Sequence, residues 1–260
     1  MRVSVITVCR NSASTIEDTL RSVGAQDHDD IEHIVVDGKS TDGTLDLIGR
    51  YRAGVSKLIS ELDAGIYDAM NKGIALASGE VIGFLNSDDA YFAPSILSTV
   101  AQVFEDSSID ACYGDLIYVQ RDNTEKVVRY WKSRPYTAGS FRKGWMPAHP
   151  TFFVRRRIYE RYGGFDLDFK IQSDFELTMR FLEIFRIKAR YLPITMVRMR
   201  TGGVTNSRLT NIIKGNIEAY RACKKHNLGV SPLFMLTKVI SRIPQFLWRP
   251  KSSFDARERD

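Results

Sequence analysis

The sequence is poor in cysteine, histidine and proline, with three Cys, four His and eight Pro in 260 residues. Cys9, Cys112 and Cys223 are odd in number and widely scattered, without ligand spacing. That excludes a disulfide-stapled scaffold and a cysteine-based zinc site, and it suits a reduced, cytoplasmic chain. No apolar run approaches the roughly 18 residues of a membrane-spanning helix. The opening residues 1–8 hold too short an apolar run for a secretion signal and no small-residue cleavage site, so they read as a first strand. Internal repeats and a domain linker are also missing. What remains, 43% apolar and 26% charged residues, is the composition of a soluble globular protein of one or two domains.

Charge is present but divided. Residues 1–120 hold 8 Lys+Arg against 19 Asp+Glu, whereas residues 121–260 hold 29 against 12. An acidic half can hold metal ions, and a basic half suits phosphate-bearing ligands or an anionic surface. No nucleic-acid motif accompanies the basic half, so nucleic acid is not an expected partner.

Residues 3–8 form a β-branched run, and residues 14–25 place Ile16, Leu20 and Val23 on one helical face behind Ser and Thr capping candidates. Strands at 31–36, 57–60, 80–85 and 110–114 alternate with helices at 44–52, 65–77 and 95–105. The helix over 65–77 is expected to bury Ile66, Met70, Ile74 and Ala77. This β-α-β-α order predicts an α/β fold with a mostly parallel central sheet flanked by helices. The second half is less regular. It reads as a hairpin over 116–131, a long loop over 133–147, a strand at 151–154 and a helix over 155–162. A capping box, Ser173-Asp174-Phe175-Glu176, opens a helix over 174–185. Strands near 187–199 and helices over 208–226 and 231–247 complete the chain. The expected division is one α/β domain over 1–205 and a helical extension over 206–260.

Ligands in open α/β sheets sit beyond the carboxyl ends of the strands. Acidic turns fall at those ends: Asp37 after the second strand, Asp63 after the third, and Asp88-Asp89 after the fourth. Two adjacent carboxylates repel unless a cation or hydrogen bonds compensate. Mg²⁺ and Mn²⁺ take one or two carboxylates and leave other positions to phosphate and water, which suits a metal held against a nucleotide diphosphate. Alternatively the pair caps the turn before Pro94. Asp37, in Asp37-Gly38-Lys39-Ser40-Thr41-Asp42-Gly43-Thr44, reads equally as a turn with a helix cap or as an acceptor for a nucleobase or ribose. Gly73 lies inside a helical pattern, where it costs about 1 kcal/mol relative to Ala and implies close approach of another backbone. His149 follows the long loop and is either structural or a contact to diphosphate or acceptor. In that loop Arg142, Lys143 and Trp145 can close over phosphates or stack on a sugar.

Six segments in order carry a resemblance: VSVITVCRN, VVDGKSTDGT, DAGIYDAMNKGIALASGEVIGFLNSDD, HPTFF, YGGFD and SDFELTMR. Together they resemble family-2 glycosyltransferases of GT-A fold, most closely the bacterial group that builds O-antigen, capsule or exopolysaccharide. The resemblance covers residues 3 to about 205. It implies an inverting transferase that uses a UDP-, GDP- or dTDP-sugar donor and a divalent metal. The acceptor it implies is a growing glycan, including one carried on a polyprenyl diphosphate lipid. By resemblance Asp89 binds the metal, Asp88 contacts the donor ribose or the metal shell, and Asp174 is the catalytic base. Asp37, Asp63, Asn71, His149 and Arg200 are the further candidates for substrate contact. An attacking hydroxyl must lose its proton as the new C–O bond forms, and a carboxylate within reach can accept it. The other reading of Asp174 is a helix cap. The sequence departs from the family at Gly38, where a second acid is common, at Met70, where Arg is common, and at 198–204, which lack a histidine. Arg198 or Arg200 can offset diphosphate charge there, or lie on the surface.

Residues 231–249 mix large apolar side chains with Lys238, Arg242 and Arg249. This pattern fits a basic amphipathic helix on the inner face of an anionic membrane, or a helix docked on the core. A sugar-phosphate nucleotidyltransferase and a non-catalytic nucleotide-sugar binding protein are the rival functions. The first commonly has a glycine-rich phosphate loop after strand one, where this chain has Cys9-Arg10-Asn11-Ser12.

Overall fold

The computed structural model describes residues 1–202, 209–231, 233–240 and 245. Its first half is a parallel β/α array. Strand β1 (Val3–Cys9) lies between β2 (Ile31–Asp37) and β4 (Val81–Phe84), and β3 (Lys57–Ser60) extends the sheet beyond β2. Every residue of β1 and β4 is buried, as a parallel sheet covered on both faces requires. Helices α1 (Ile16–Gly24), α2 (Thr44–Arg50) and α3 (Ile66–Leu76) make the crossovers.

Helix α3 buries Tyr67, Ala69, Met70 and Gly73, while Ile66 is exposed. The expected face is therefore rotated by about one residue. Two contacts set it: the Tyr67 hydroxyl donates to the Ile171 carbonyl at 2.8 Å, and Gly73 lies against β1. A Cβ on Gly73 would come within 2.4 Å of the Ile6 side chain, which explains a glycine inside this helix.

The second half is mixed. Strand β5 (Asp89–Tyr91) and helix α4 (Ile96–Val103) precede the hairpin of β6 (Ala111–Val119) and β7 (Val127–Trp131). Strand β8 (Phe153–Arg155) runs antiparallel between β4 and β6, and joins the two halves. Helix α5 (Arg156–Tyr162) follows, then α6 (Ser173–Met179), which continues as a π turn over Arg180–Ile184. Strand β9 (Ala189–Arg200) is one long strand, parallel to β6 and antiparallel to β5. The strand order is β3-β2-β1-β4-β8-β6-β9-β5, with β7 beside β6.

The capping box expected at α6 is not formed. The Ser173 hydroxyl donates to the Asp166 carbonyl, and Glu176 turns inward to Arg180 and His226. The loop over 133–147 is packed rather than open. Phe141 is fully buried, and Trp145 sits against Tyr113, Tyr136 and Phe141, so its ring is already engaged.

Helix α7 (Leu209–Lys225) buries Ala219, Ala222 and Cys223 in the main core. Helix α8 (Phe234–Ile240) follows, with Phe234 2% and Lys238 1% exposed. The Lys238 ammonium donates to Gln172 Oε1 at 2.6 Å and lies 4.4 Å from the centre of the Phe175 ring. The described part of 231–249 is thus docked on the core. Arg242, Ile243, Pro244, Phe246, Leu247, Trp248 and Arg249 lie outside the described residues.

Candidate active site

The carboxyl ends of β1, β2 and β3 meet at Asp37. Its carboxylate is fully buried and accepts from the Ser40 N–H at 3.0 Å, from the Ser40 and Ser60 hydroxyls, and from the Cys9 thiol at 3.6 Å. Both oxygens are engaged inside the protein, so Asp37 ties strand ends together. Asp63 is half-exposed and lies over Gly38, where a Cβ would come within 2.7 Å of its Oδ2 and within 3.4 Å of the Arg10 side chain. Glycine at 38 gives Asp63 its place, and an aspartate there would collide with it. Asp63 and Arg10 form the open rim of this corner.

The second acidic group stands where β4 passes into β5. The chain turns at Asn86-Ser87-Asp88-Asp89, and neighbours fix the turn by its backbone. Thr19 of α1 donates to the Asp89 carbonyl at 2.7 Å, and the Ser12 and Ser87 hydroxyls lie 2.8 Å apart. Arg200, at the end of β9, donates to the Asp88 carbonyl at 3.2 Å and pairs with Asp18. Asp89 is 0% exposed, and among the described residues neither of its carboxylate oxygens has a partner in good hydrogen-bond geometry, with only the Asn86 side chain and the Arg200 backbone nearby. Burial, then the neighbouring Asp88 charge, pushes the Asp89 carboxyl well above its ordinary range; nearby Asn86 and Arg200 offset only part of this. Asp88 is half-exposed, and its carboxyl is also raised, again by burial. A buried carboxylate without a partner is costly. Two at one turn fit a divalent cation that supplies the missing charge, with phosphate and water completing its shell. Among the described residues no cluster of three or more such ligands offers an all-protein cage.

Asp174 occupies the second position of α6. Its Oδ1 accepts from the Phe175 N–H at 2.8 Å and from the Tyr67 hydroxyl at 3.2 Å. Its Oδ2 lies 3.1 Å from His149 Nδ1, at an angle outside hydrogen-bond geometry. Burial lowers the His149 pKa and the Asp174 charge raises it, with burial the stronger, which favours the neutral imidazole. The side chain of Asp174 keeps 14% of its surface exposed. The helix beneath it is anchored by a buried cluster. Glu176 is 1% exposed, pairs with Arg180 at 2.8 Å and accepts from His226 at 2.7 Å. Burial raises its carboxyl, but these partners outweigh that and hold it below the ordinary range. Arg180 also donates to the carbonyls of Tyr162 and Gly164, fixing the Gly163-Gly164-Phe165 turn.

Asn71 grips the same turn. Its amide donates to the Phe165 carbonyl at 2.9 Å, and its carbonyl accepts the Phe165 N–H at 2.8 Å. A Cβ on Gly164 would lie 2.3 Å from Asn71 Oδ1, so only glycine allows this approach. Both polar ends of Asn71 therefore serve the turn rather than an open face. Phe165 in turn stacks on Tyr67 and meets Phe84 edge-on, each at 5.3 Å between ring centres. This aromatic path connects the end of β4, just before the Asp88-Asp89 corner, with the side chain that touches Asp174.

Of the residues singled out from sequence, the structure brings His149 to Asp174, and Arg200 to Asp88 and Asp89. It places Asp63 at the rim and commits Asp37 and Asn71 to internal contacts. Sequence reasoning missed Tyr67 and Arg180. Only Arg180 left a signal, its i,i+4 spacing from Glu176 inside SDFELTMR.

Known proteins resemble this chain in sequence and in fold. The family model for glycosyl transferase family 2 matches residues 4–163. An uncharacterized glycosyltransferase of Mycobacterium tuberculosis is 36% identical over 180 residues, which is 68% of this chain and 68% of that protein. A PGL/p-HBAD biosynthesis glycosyltransferase of Mycobacterium bovis is 29% identical over 181 residues, with the same two shares. Staphylococcus aureus TarS in complex with UDP-GlcNAc superimposes with a TM-score of 0.67 at 19% identity, covering 91% of this chain and 69% of that one. The mannosyltransferase PcManGT of Pyrobaculum calidifontis, in complex with GDP-Man and Mn²⁺, gives 0.64 at 20% identity, covering 93% and 69%. At such identities these two structures speak for the fold alone, and it is the GT-A fold that the sequence segments resemble. The family match over most of the chain carries the stronger statement: this protein belongs to glycosyl transferase family 2 and is a glycosyltransferase.

Proposed function

We propose that this chain moves a sugar from a nucleoside-diphosphate donor to a hydroxyl of a cell-envelope glycan or glycolipid, with inversion at the anomeric carbon. The observation that carries this reading is the Asp88-Asp89 corner, two raised carboxyls at the carboxyl end of a parallel strand, one of them buried with no well-formed hydrogen bond among the described residues. Asp88, the more accessible of the two, and Asp89 would hold the divalent cation. When bound, such a cation neutralises charge gathering on the leaving diphosphate. Solved structures of the same fold hold UDP-GlcNAc or GDP-Man with Mn²⁺, which supports a nucleotide-sugar donor. The relatives named for PGL/p-HBAD biosynthesis support an envelope glycan as product.

Asp174 takes the acceptor proton. The acceptor oxygen forms its bond to the anomeric carbon, the bond from that carbon to the diphosphate oxygen breaks, and the acceptor O–H proton passes to Asp174 Oδ2. Tyr67 and the Phe175 N–H hold Oδ1, which turns Oδ2 toward His149 and the accessible side. His149, neutral by burial, lines the place where the acceptor hydroxyl arrives. Asp63 and Arg10 border the corner that would receive the nucleoside.

A donor panel of UDP-, GDP- and dTDP-sugars, each with Mg²⁺ or Mn²⁺, tests the assignment by the product released. Nucleoside diphosphate is expected, formed in step with acceptor and absent with chelator. Release of inorganic diphosphate instead would mean nucleotidyl transfer, and donor binding without any release would mean a binding protein.

A further inference from the structure

Helix α7 has two faces that differ sharply. Its inner face buries Ala219, Ala222 and Cys223, and Gly215 lies against Ile171 and Gln172. Its outer face carries Ile213 and Ile217, one turn apart and exposed by 60% and 46%, with exposed Lys214 beside them. Single exposed apolar residues are ordinary, but two isoleucines stacked one turn apart with cations on the same face make an amphipathic surface. Isoleucine also loses rotamer freedom in a helix, so it gains nothing there unless something covers it.

One to two turns further along, the same face becomes basic with Arg221 and Lys224, both exposed. These two line a hollow of about 290 Å³ together with Phe169, Tyr220, Asp168 and Lys225, the last already paired with Asp166 and Asp168. An apolar stretch followed by cations on one helical face matches a bilayer interface, apolar at the acyl boundary and anionic at the phosphates. The charge balance of residues 121–260, 29 basic against 12 acidic, has the same sign.

We propose that the outer face of α7 docks this protein on a membrane rich in anionic phospholipid. Ile213 and Ile217 enter the acyl boundary, and Arg221 and Lys224 hold lipid phosphates. The more obvious amphipathic segment, 231–249, has Phe234 and Lys238 already committed to the core. The placement also aims the site. Glu218 of α7 accepts the N–H groups of Lys170, Ile171 and Gln172 at 3.2, 2.8 and 3.0 Å, just before Asp174. A membrane under α7 therefore lies beside the segment that leads into α6. The proposal does not depend on the reaction assigned above.

Co-sedimentation of the full chain with phosphatidylcholine vesicles, with and without phosphatidylglycerol, tests it. Binding is expected to the phosphatidylglycerol vesicles and to fall with salt. Ile213→Asp with Ile217→Asp should weaken it by about tenfold or more. Arg221→Glu with Lys224→Glu should weaken it comparably and flatten the salt dependence. All four positions are exposed, so circular dichroism and melting are expected unchanged; should the isoleucine pair misfold, the charge pair decides. No wild-type binding to anionic vesicles, or binding that survives both α7 pairs, overturns the proposal.

Discussion

Asp37 ends β2 and Asp89 begins β5, and both are 0% exposed, yet their surroundings are opposite. Asp37 in the parallel half is met by two serine hydroxyls, a backbone N–H and a thiol. Asp89, at the entrance to the mixed half, has no well-formed hydrogen bond at either oxygen among the described residues, and it has Asp88 as its neighbour. The lesson is that acid position alone does not mark a site. An acid whose bonds are closed within the fold stabilises the fold, and an acid left open at real cost is the one available to a ligand such as the cation proposed above.

The hardest way to break this division is at the proton acceptor. Asp174→Asn keeps the shape and removes the base. Turnover should fall by about a thousandfold, the scale of general-base catalysis, with donor affinity within about twofold in a binding titration. Turnover retained at a tenth of wild type would end the assignment. Next come the paired acids. Asp88→Asn and Asp89→Asn should each weaken cation-dependent donor binding by roughly 100-fold, equivalent to about 3 kcal/mol. They should leave the melting temperature unchanged or raise it, because each relieves a buried or crowded carboxyl. Asp37→Asn should do the reverse. Lost charge-assisted bonds cost about 2 kcal/mol of stability, read as a fall in melting temperature, while the cation dependence stays. Equal melting shifts at 37 and 89 would erase the contrast.

How far the sequence disclosed this follows the same line. The parallel half was legible because its signals are local. β-branched runs, helical periodicity and acids at strand ends lie within a few residues of each other, and β1, β2, β3 and β4 fall where they are expected. The mixed half depends on contacts between residues 107 and 94 positions apart, Tyr67 with Asp174 and Asn71 with Phe165, which no window of sequence contains. Ser173 and Glu176 have capping-box spacing, but a buried arginine and histidine outbid the cap for Glu176. Asn71 was singled out by its motif, and only the fold shows that both ends of its amide are engaged by a backbone turn.

The parallel half should also reveal itself in acid. His33 in β2 is buried, 3.0 Å from the Thr7 hydroxyl, and burial pushes its pKa down to about 4. Beside it burial raises Glu32, but Lys57, Ser4 and Ser78 outweigh this and bring it to about 2. Both folded values lie below the unfolded ones, so both groups favour the fold at neutral pH. The His33 contribution is complete above pH 6.5 and is lost as pH falls toward 4; that of Glu32 is complete above pH 4.5 and is lost toward pH 2. Melting temperature should therefore drop in two stages, and His33→Gln should flatten the upper one alone.

The smallest expected effect lies where the two halves touch. Tyr67 comes from the parallel half, and its hydroxyl stands 2.8 Å from the Ile171 carbonyl and 3.2 Å from Asp174. One proton cannot serve both acceptors fully, and the shorter contact takes the larger share. Asp174 Oδ1 also keeps the Phe175 N–H at 2.8 Å, so it stays held when the hydroxyl is removed. Tyr67→Phe preserves the stack on Phe165. It should cost about 1 kcal/mol of stability and lower kcat by less than about tenfold, with KM for the donor unchanged. A loss as large as that of Asp174→Asn would mean that the hydroxyl itself handles the proton, and the boundary between a half that holds and a half that reacts would move into α3.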